Sequence, residues 1–380
     1  MLEYKRYRVK NRKEKGGIMS YNYGPIVEPL LAWFDENRRI LPWREDPRPY
    51  YVWVSEIMLQ QTRVEAVKGY FARFTTELPT IQHLAEASEE KLLKLWEGLG
   101  YYNRVRNLQK AAQQVVAEYD GVLPDSYEEL IKLPGIGSYT AGAIASIAYQ
   151  KRVPAVDGNV LRIVKRLSAS FDDITKQKVV KEVEKQMKEI MPVRSGDFNQ
   201  ALMDLGATVC IPNGRPLCDK CPISEYCEGR KQDVMMLLPV KPSKKPRKIE
   251  EKTMLVLEYE SKYALNKRPK KGLLAGLWEI PNVEGRLSVE ELNEQLQKLG
   301  VTDYEVELLG RAKHIFSHIE WHMLGYHVRI NKKWDSTRPD VSDEGELSRS
   351  LEEYSWMDKE QLKEKVALPT AFECYKCWEQ

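Results

Sequence analysis

Apolar residues return every three or four positions through the first half of the chain, then give way to strand-like runs. Ser55 through Phe74, Glu89 through Trp96, Arg104 through Tyr119 and Val179 through Ile190 all carry this spacing, which predicts amphipathic helices. Pro79, Gly98-Leu99-Gly100 and Pro124 punctuate the joints. Residues from about Pro25 to Cys227 therefore read as a helical domain. The stretch 231–250 changes character: Leu238-Pro239-Val240-Lys241-Pro242 cannot continue a helix and reads as an extended linker. Beyond it, Met254–Tyr259 and His322–Ile330 read as strands. Between them Ser288 and Glu291 form a capping box before a helix with Val289, Leu292, Leu296 and Leu299 on one face, and Gly300 stops it. The expected organisation is a basic extension (1–18), an α-helical domain (19–230), a linker (231–250) and an α/β domain (251–380).

A hydrophobic fraction of 42% over 380 residues supports two cores and excludes wholesale disorder. The longest apolar stretch, Ala141–Ala148, is far too short to span a bilayer, and no apolar run follows the basic start as in a secretory signal. A cytoplasmic protein without membrane attachment is expected. The formal charge is +3, but residues 1–17 alone hold seven basic and two acidic side chains, so the remainder is slightly acidic. Any field that attracts nucleic acid must come from local groups, such as Arg104 with Arg106, or Lys241, Lys244, Lys245, Arg247 and Lys248. A solvated surface explains such groups equally well. Lys15-Gly16-Gly17 shortly before Met19 reads as a translated ribosome-binding sequence, with Met19 the native start. The alternative is a basic DNA-binding arm, and mass spectrometry of the protein from its own cell separates the two.

Candidate chemistry concentrates in three places. Leu133-Pro134-Gly135-Ile136-Gly137 followed by Ser138-Tyr139-Thr140-Ala141-Gly142 is a turn between helices. Its glycines can adopt angles closed to other residues and let a DNA strand approach, while the next helix offers N–H groups to a phosphate. Asp157, in Val156-Asp157-Gly158-Asn159-Val160, puts a negative charge near such a strand, which is unfavourable unless positive charge develops in a reaction. Cys210, Cys218, Cys221 and Cys227 lie within eighteen residues and need a metal, for which zinc and iron–sulfur are both open by spacing. Cys374 and Cys377 lack a partner pair and read as part of a frayed terminal helix. His314, His318 and His322 sit in a strand-like pattern and are not read as a zinc site. Glu56 lies among Val52, Trp53, Val54, Ile57, Met58 and Leu59, where desolvation would keep its proton near neutrality; an ordinary surface glutamate is the plainer alternative.

These motifs resemble those of the helix-hairpin-helix DNA glycosylases, most closely the adenine DNA glycosylase family, from about Leu31 to the C-terminus. The lyase relatives carry a lysine nucleophile in the hairpin where this chain has Tyr139, and a phenol cannot form a Schiff base. The resemblance implies a monofunctional enzyme, a monomer, removing adenine opposite 8-oxoguanine or guanine in double-stranded DNA. It makes Glu56 the general acid and Asp157 the stabiliser of the cationic sugar, with Tyr139 and Asn159 orienting the pair. It places Trp43, Arg44, Leu59 and Gln200 around the extruded adenine, Gln61 and Tyr101 as wedges in the base stack, and Gly135 and Gly137 at the phosphate. Thr62 and Leu99 fall beside the opposite base, which Phe316, Ser317 and His318 inspect. It also selects a 4Fe–4S cluster for the four cysteines, although the loop from Cys210 to Cys218 holds one residue more than the usual spacing. The second domain resembles a Nudix domain in which two expected magnesium-binding carboxylates are Gln297 and Lys298, so pyrophosphate hydrolysis is disfavoured. The competing readings are a bifunctional glycosylase/lyase and a non-enzymatic iron–sulfur DNA-binding protein.

Overall fold

The computed structural model describes residues 21–243, 246–335 and 350–379. The expectations for residues 1–18, and for Lys244 and Lys245, lie outside the described residues. By its contacts the chain forms two units, one built from residues up to Glu86 with Arg106–Ser243, the other from Ala87–Val105 with the chain from Lys244 onward.

In the first unit the helices are α1 (Val27–Asn37), α2 (Pro42–Glu45), α3 (Pro49–Leu59), α4 (Val64–Glu77) and α5 (Ile81–Glu86). After α6 (Glu89–Leu95) of the second unit, α7 (Asn103–Glu118) runs back into the first, followed by α8 (Tyr127–Leu130), α9 (Ser138–Ile147), α10 (Gly158–Leu167), α11 (Gln177–Glu189), α12 (Ser195–Thr208) and α13 (Glu228–Lys231). Helix α12 is the hub, packed on α1, α9 and α10, while α9 also packs on α3. Leu30, Phe34, Ile163, Val164, Phe198 and Leu202 are buried at the core of this packing. The α9–α3 contact brings the hairpin motif to the buried helix that carries Glu56.

One close approach fixes α9. A Cβ added at Gly142 would stand 2.1 Å from the Pro154 carbonyl oxygen, a backbone atom that cannot turn aside. Gly142→Ala is therefore expected to destabilise the protein by about 1–3 kcal/mol or more, read as a lowered midpoint in chemical denaturation. A midpoint equal to the parent's would show that the crossing is looser than this.

The apolar spacing from Ser55 to Phe74 does not form one helix. It breaks between Leu59 and Val64, and Gln61 takes a left-handed conformation at φ 62°. No proline or glycine announces the break, because it depends on packing rather than propensity.

The second unit centres on a mixed sheet of β1 (Lys248–Tyr259), β2 (Lys262–Lys267), β3 (Trp278–Glu279), β4 (Asn282–Glu284), β5 (Tyr304–Ile315), β6 (Ile319–Ile330) and β7 (Ser355–Met357). The order β3-β2-β1-β6-β5 makes β1 central and parallel to β6 over twelve residue pairs, with Lys248 opposite Ile319 and Tyr259 opposite Ile330. Both faces of β1 are covered, which explains its unbroken apolar run. Met254 and Val256 face one core with Trp321 and Phe372, while Leu255 and Leu257 face another with Leu292 and Leu296. Leu292 and Leu296 come from α14 (Val289–Lys298), whose Ser288–Glu291 capping box is formed in both directions. A last helix, α15 (Lys359–Lys365), precedes the C-terminal turns.

Three readings of local structure change. Within 231–250 the chain is not uniformly extended: Met235–Leu237 is a 3-10 turn with Met235 and Leu238 buried, and β1 already begins at Lys248. Burial of apolar side chains, not composition, decides that segment. The end of the chain is a pair of 3-10 turns, Thr370–Tyr375 and Cys377–Glu379, held by buried Phe372, Tyr375 and Trp378 rather than a frayed helix. Ala87–Val105, which the helical spacing put with the first domain, has its contacts in the second unit.

Candidate active site

Apolar neighbours on α3 leave Glu56 only 5% exposed. Its Oε2 accepts a hydrogen bond from the Tyr139 hydroxyl at 2.5 Å, and Tyr139 sits in the first turn of α9. Burial pushes the Glu56 carboxyl up to about 7 and the nearby Asp157 charge pushes the same way, against the Tyr139 hydrogen bond and Arg44. Glu56 is thus poised to hold and give a proton at neutral pH. Burial and the two carboxylates drive the Tyr139 phenol well above its ordinary range, so it remains a donor.

Asp157 is the N-cap of α10. Its Oδ1 accepts from the backbone N–H groups of Asn159 and Val160, each at 2.8 Å, and its Oδ2 from Asn159 Nδ2 at 2.6 Å. Burial raises its carboxyl, opposed by these hydrogen bonds and by Arg162. Asn159 is fixed in turn by Arg162 Nη2, which donates to its Oδ1 at 2.9 Å, while Arg162 Nε donates to the Cys210 carbonyl at 2.8 Å.

A cavity of about 180 Å³ gathers these groups. Trp43, Arg44, Glu56, Leu59, Thr62, Tyr139, Asp157, Asn159 and Gln200 all line it. Thr62 thus faces the same cavity as the acids, although the resemblance put it beside the opposite base. Sequence reasoning missed Arg39 and Met203, which also line the cavity. It missed Asp204 too. This fully buried carboxylate accepts from Arg39 Nε at 2.8 Å and from Arg44 Nη1 at 2.7 Å. Burial would raise Asp204, but the two guanidiniums outweigh it and hold the carboxyl below its ordinary range. Asp204 is three residues from Ala207 of the cavity wall, on the same α12 face, and only that helical register could have signalled it.

In the hairpin, Gly135 uses its freedom, with φ +78° and Asn107 Cβ only 2.8 Å from where its own Cβ would be. Gly137 does not: at φ −94° and ψ −179° it is ordinary extended backbone. It caps α9 without a side-chain hydrogen bond, and a Cβ there would meet open space, so its smallness leaves room rather than permitting a turn.

Cys210 and Cys227 lie against α10 within hydrogen-bond reach of Arg166, and the charges of the other three cysteines act on Cys221, but among the described residues no three such side chains close on a single ion. Cys218, Cys221 and Cys227 each feel the charge of the other thiols, and burial with that repulsion pushes Cys221 up to about 12. Arg166 Nη1 donates to Cys210 Sγ at 3.2 Å and to the Ile211 carbonyl at 3.0 Å. Deprotonated together, four such cysteines would repel one another, and Arg166 beside Cys210 offsets only part of that, so the donor set suits a positively charged inorganic centre.

The remaining residues singled out in the sequence lie outside this cavity. Gln61 is exposed. In the second unit, Leu99 is buried and Tyr101 is 48% exposed at φ +47°, flanked by Gly98 and Gly100 at φ +93° and +68°. Ser317 and His318 are the exposed tip of the β5–β6 hairpin, closed by Phe316 N–H donating to the Ile319 carbonyl at 2.9 Å. Phe316 is an anchor rather than a reader, its ring edge-on to Trp321 at 4.9 Å. The Tyr101 and Ser317 hydroxyls are 3.2 Å apart. Gln297 lines a groove with Asn293 and Tyr304. Among the described residues no three His, Cys, Asp or Glu side chains close on a single ion, and none of their helices is long and apolar enough to cross a membrane.

Residues 54–189 match the model of the HhH-GPD superfamily base excision DNA repair proteins, and residues 253–378 that of the NUDIX domain. The chain is 38% identical over 352 residues to the adenine DNA glycosylase of Homo sapiens, covering 77% of this chain and 64% of the human protein. It is 38% identical over 369 residues to that of Mus musculus, covering 82% and 72%. Among solved structures, a thermostable thymine-DNA glycosylase superposes with a TM-score of 0.51 at 27% identity, covering 55% of this chain and 96% of that one.

Proposed function

The chain belongs to the adenine DNA glycosylase family, and on that premise we propose that it excises adenine paired with 8-oxoguanine or guanine, as a monofunctional glycosylase of base excision repair. The observation that carries this is the Glu56–Tyr139 hydrogen bond in one cavity with Asp157. A phenol occupies the place of a lyase amine, and among the described residues no lysine lines the cavity.

An adenine flipped from the duplex enters the cavity, since its glycosidic bond is out of reach in the stack. Tyr139 engages Oε2 of Glu56, so the neutral carboxyl carries its proton on Oε1 and delivers it to N7 of the base. The C1′–N9 bond then breaks, its electron pair leaving with adenine, and C1′ becomes cationic. The Asp157 carboxylate, held by three hydrogen bonds, stabilises that cation without having to reorganise. Water adds to C1′, and its proton returns to Glu56. Arg44, set by Asp204, and Trp43, Leu59 and Gln200 hold the base. Gly135 and Gly137 admit the backbone and Thr62 lines the pocket of the extruded base, while in the second unit Tyr101 wedges the stack and Ser317 and His318, exposed at their tip, contact the opposite base. The enzyme is expected to act as a monomer. Cys210, Cys218, Cys221 and Cys227 would hold a 4Fe–4S cluster that pins their loop when bound. Six thiols without a disulfide among the described residues suit a reducing cytoplasm.

The test is single-turnover excision on duplexes with adenine opposite 8-oxoguanine, guanine, cytosine or thymine, with and without alkali. Expected are release opposite 8-oxoguanine and guanine and strand breaks only after alkali. Breaks without alkali, with a borohydride-trapped adduct, would establish the lyase instead. Ser317→Ala combined with His318→Ala is expected to reduce the preference for 8-oxoguanine over guanine by about tenfold, the worth of one or two hydrogen bonds. An unchanged preference would remove the hairpin tip from recognition.

A further inference from the structure

The turn that carries Tyr101 and the hairpin tip that carries Ser317 are far apart in sequence yet belong to one structural unit. What joins them is an extended C-terminal segment, Val366-Ala367-Leu368, buried along its length. Glu97 Oε1 accepts the Leu368 backbone N–H at 2.9 Å. Lys94 Nζ donates to the Val366 carbonyl at 2.8 Å and to Glu97 Oε2 at 2.7 Å, so the two side chains grip the segment as one clamp.

From each end of the clamp a packed path leads to a reading group. On one side, Trp96 Nε1 donates to the Gly100 carbonyl at 3.1 Å, and Arg104 Nη2 to the Leu99 carbonyl at 3.0 Å, which fixes the turn before Tyr101. On the other, the chain after Leu368 packs Phe372 on Trp321, and Trp321 holds Phe316 at the base of the tip. The two paths meet where the Tyr101 and Ser317 hydroxyls stand 3.2 Å apart. A contact between two exposed side chains survives only if both mounts are in register.

We infer that Glu97 and Lys94 are positioning residues that register the Tyr101 turn against the Ser317 tip and thereby set discrimination of the base opposite adenine. This rests on the reading of Tyr101 and Ser317 given under Proposed function. Neither side chain touches DNA in this account; they act through the segment they hold.

The experiment measures KM and single-turnover rate for adenine opposite 8-oxoguanine and opposite guanine in the full chain, with thermal melting alongside. Glu97→Ala is expected to lose about tenfold of the preference for 8-oxoguanine, mainly through KM, while excision opposite guanine at saturation changes less than about twofold. Glu97→Gln keeps an oxygen for the Leu368 N–H and is expected to recover most of that preference. Should Glu97→Ala fail to fold, Lys94→Met, which loses only the bonds to Val366 and Glu97, is expected to shift the preference in the same direction. Ser317→Ala separates the two claims. If it loses the preference while folded Glu97→Ala or Lys94→Met keeps it, the clamp is overturned and the reading of the tip stands. If Ser317→Ala keeps the preference, the reading of the tip fails and the clamp with it.

Discussion

Glu56→Gln is expected to slow adenine release by about 10²–10⁴-fold while leaving affinity for the lesion duplex nearly intact, because a glutamine fills the space but cannot donate an acidic proton. The pH profile gives a sharper reading. With the carboxyl pushed up to about 7 by burial, the parent loses its acid form, and so its rate, as pH rises through neutrality. The variant should lack that limb. Stability follows the same group with its own sign. Folded Glu56 keeps a proton that the unfolded chain gives up, so its burial weighs against folding progressively from about pH 4.5 to 7 and fully above. A shift of that size corresponds to about 3 kcal/mol as an order of magnitude. Glu56→Gln is therefore expected to melt no lower than the parent at pH 8. Undiminished excision in a single turnover would reject Glu56 as the acid.

The second large effect is at Asp157. Asp157→Asn is expected to reduce the rate by about 10²–10³-fold, since a neutral amide offers the sugar cation no counter-charge. Asparagine is as good an N-cap as aspartate, so the bonds from the Asn159 and Val160 N–H groups persist. The new amide would oppose Asn159 Nδ2, whose partner oxygen is already taken by Arg162, so a cost of about 1 kcal/mol is expected from that mismatch. Asp157→Ala removes the cap as well and should melt lower still. A rate loss in Asp157→Asn that tracked melting temperature, rather than exceeding it, would reduce Asp157 to a helix cap.

How much of this was legible depended on whether a feature is local. The capping box at Ser288 and the stop at Gly300 are written in consecutive residues and formed as read. The break after Leu59 was not readable, because it depends on packing, and nothing in the motif told that Gly137, unlike Gly135, would be ordinary extended backbone. In the site, Asp157 stood out by its charge beside the hairpin, while Glu56 and Tyr139 took their roles from the resemblance to the glycosylase family. Asp204 and Arg39 were silent, since a lone aspartate in a helix and an arginine in Arg38-Arg39-Ile40 look like surface residues. Only the fold turns them inward, onto each other.

The fastening of Lys94 to Val366 spans 272 positions of the chain. A nascent polypeptide leaves the ribosome from its N-terminus, so the stretch from Ala87 to Val105 is made long before anything it will rest on. That stretch stays without these partners until the segment around Val366 has been made. Contacts of such separation are slow to form, and a fragment cut after Ser243 would keep a helix with its lasting companions missing.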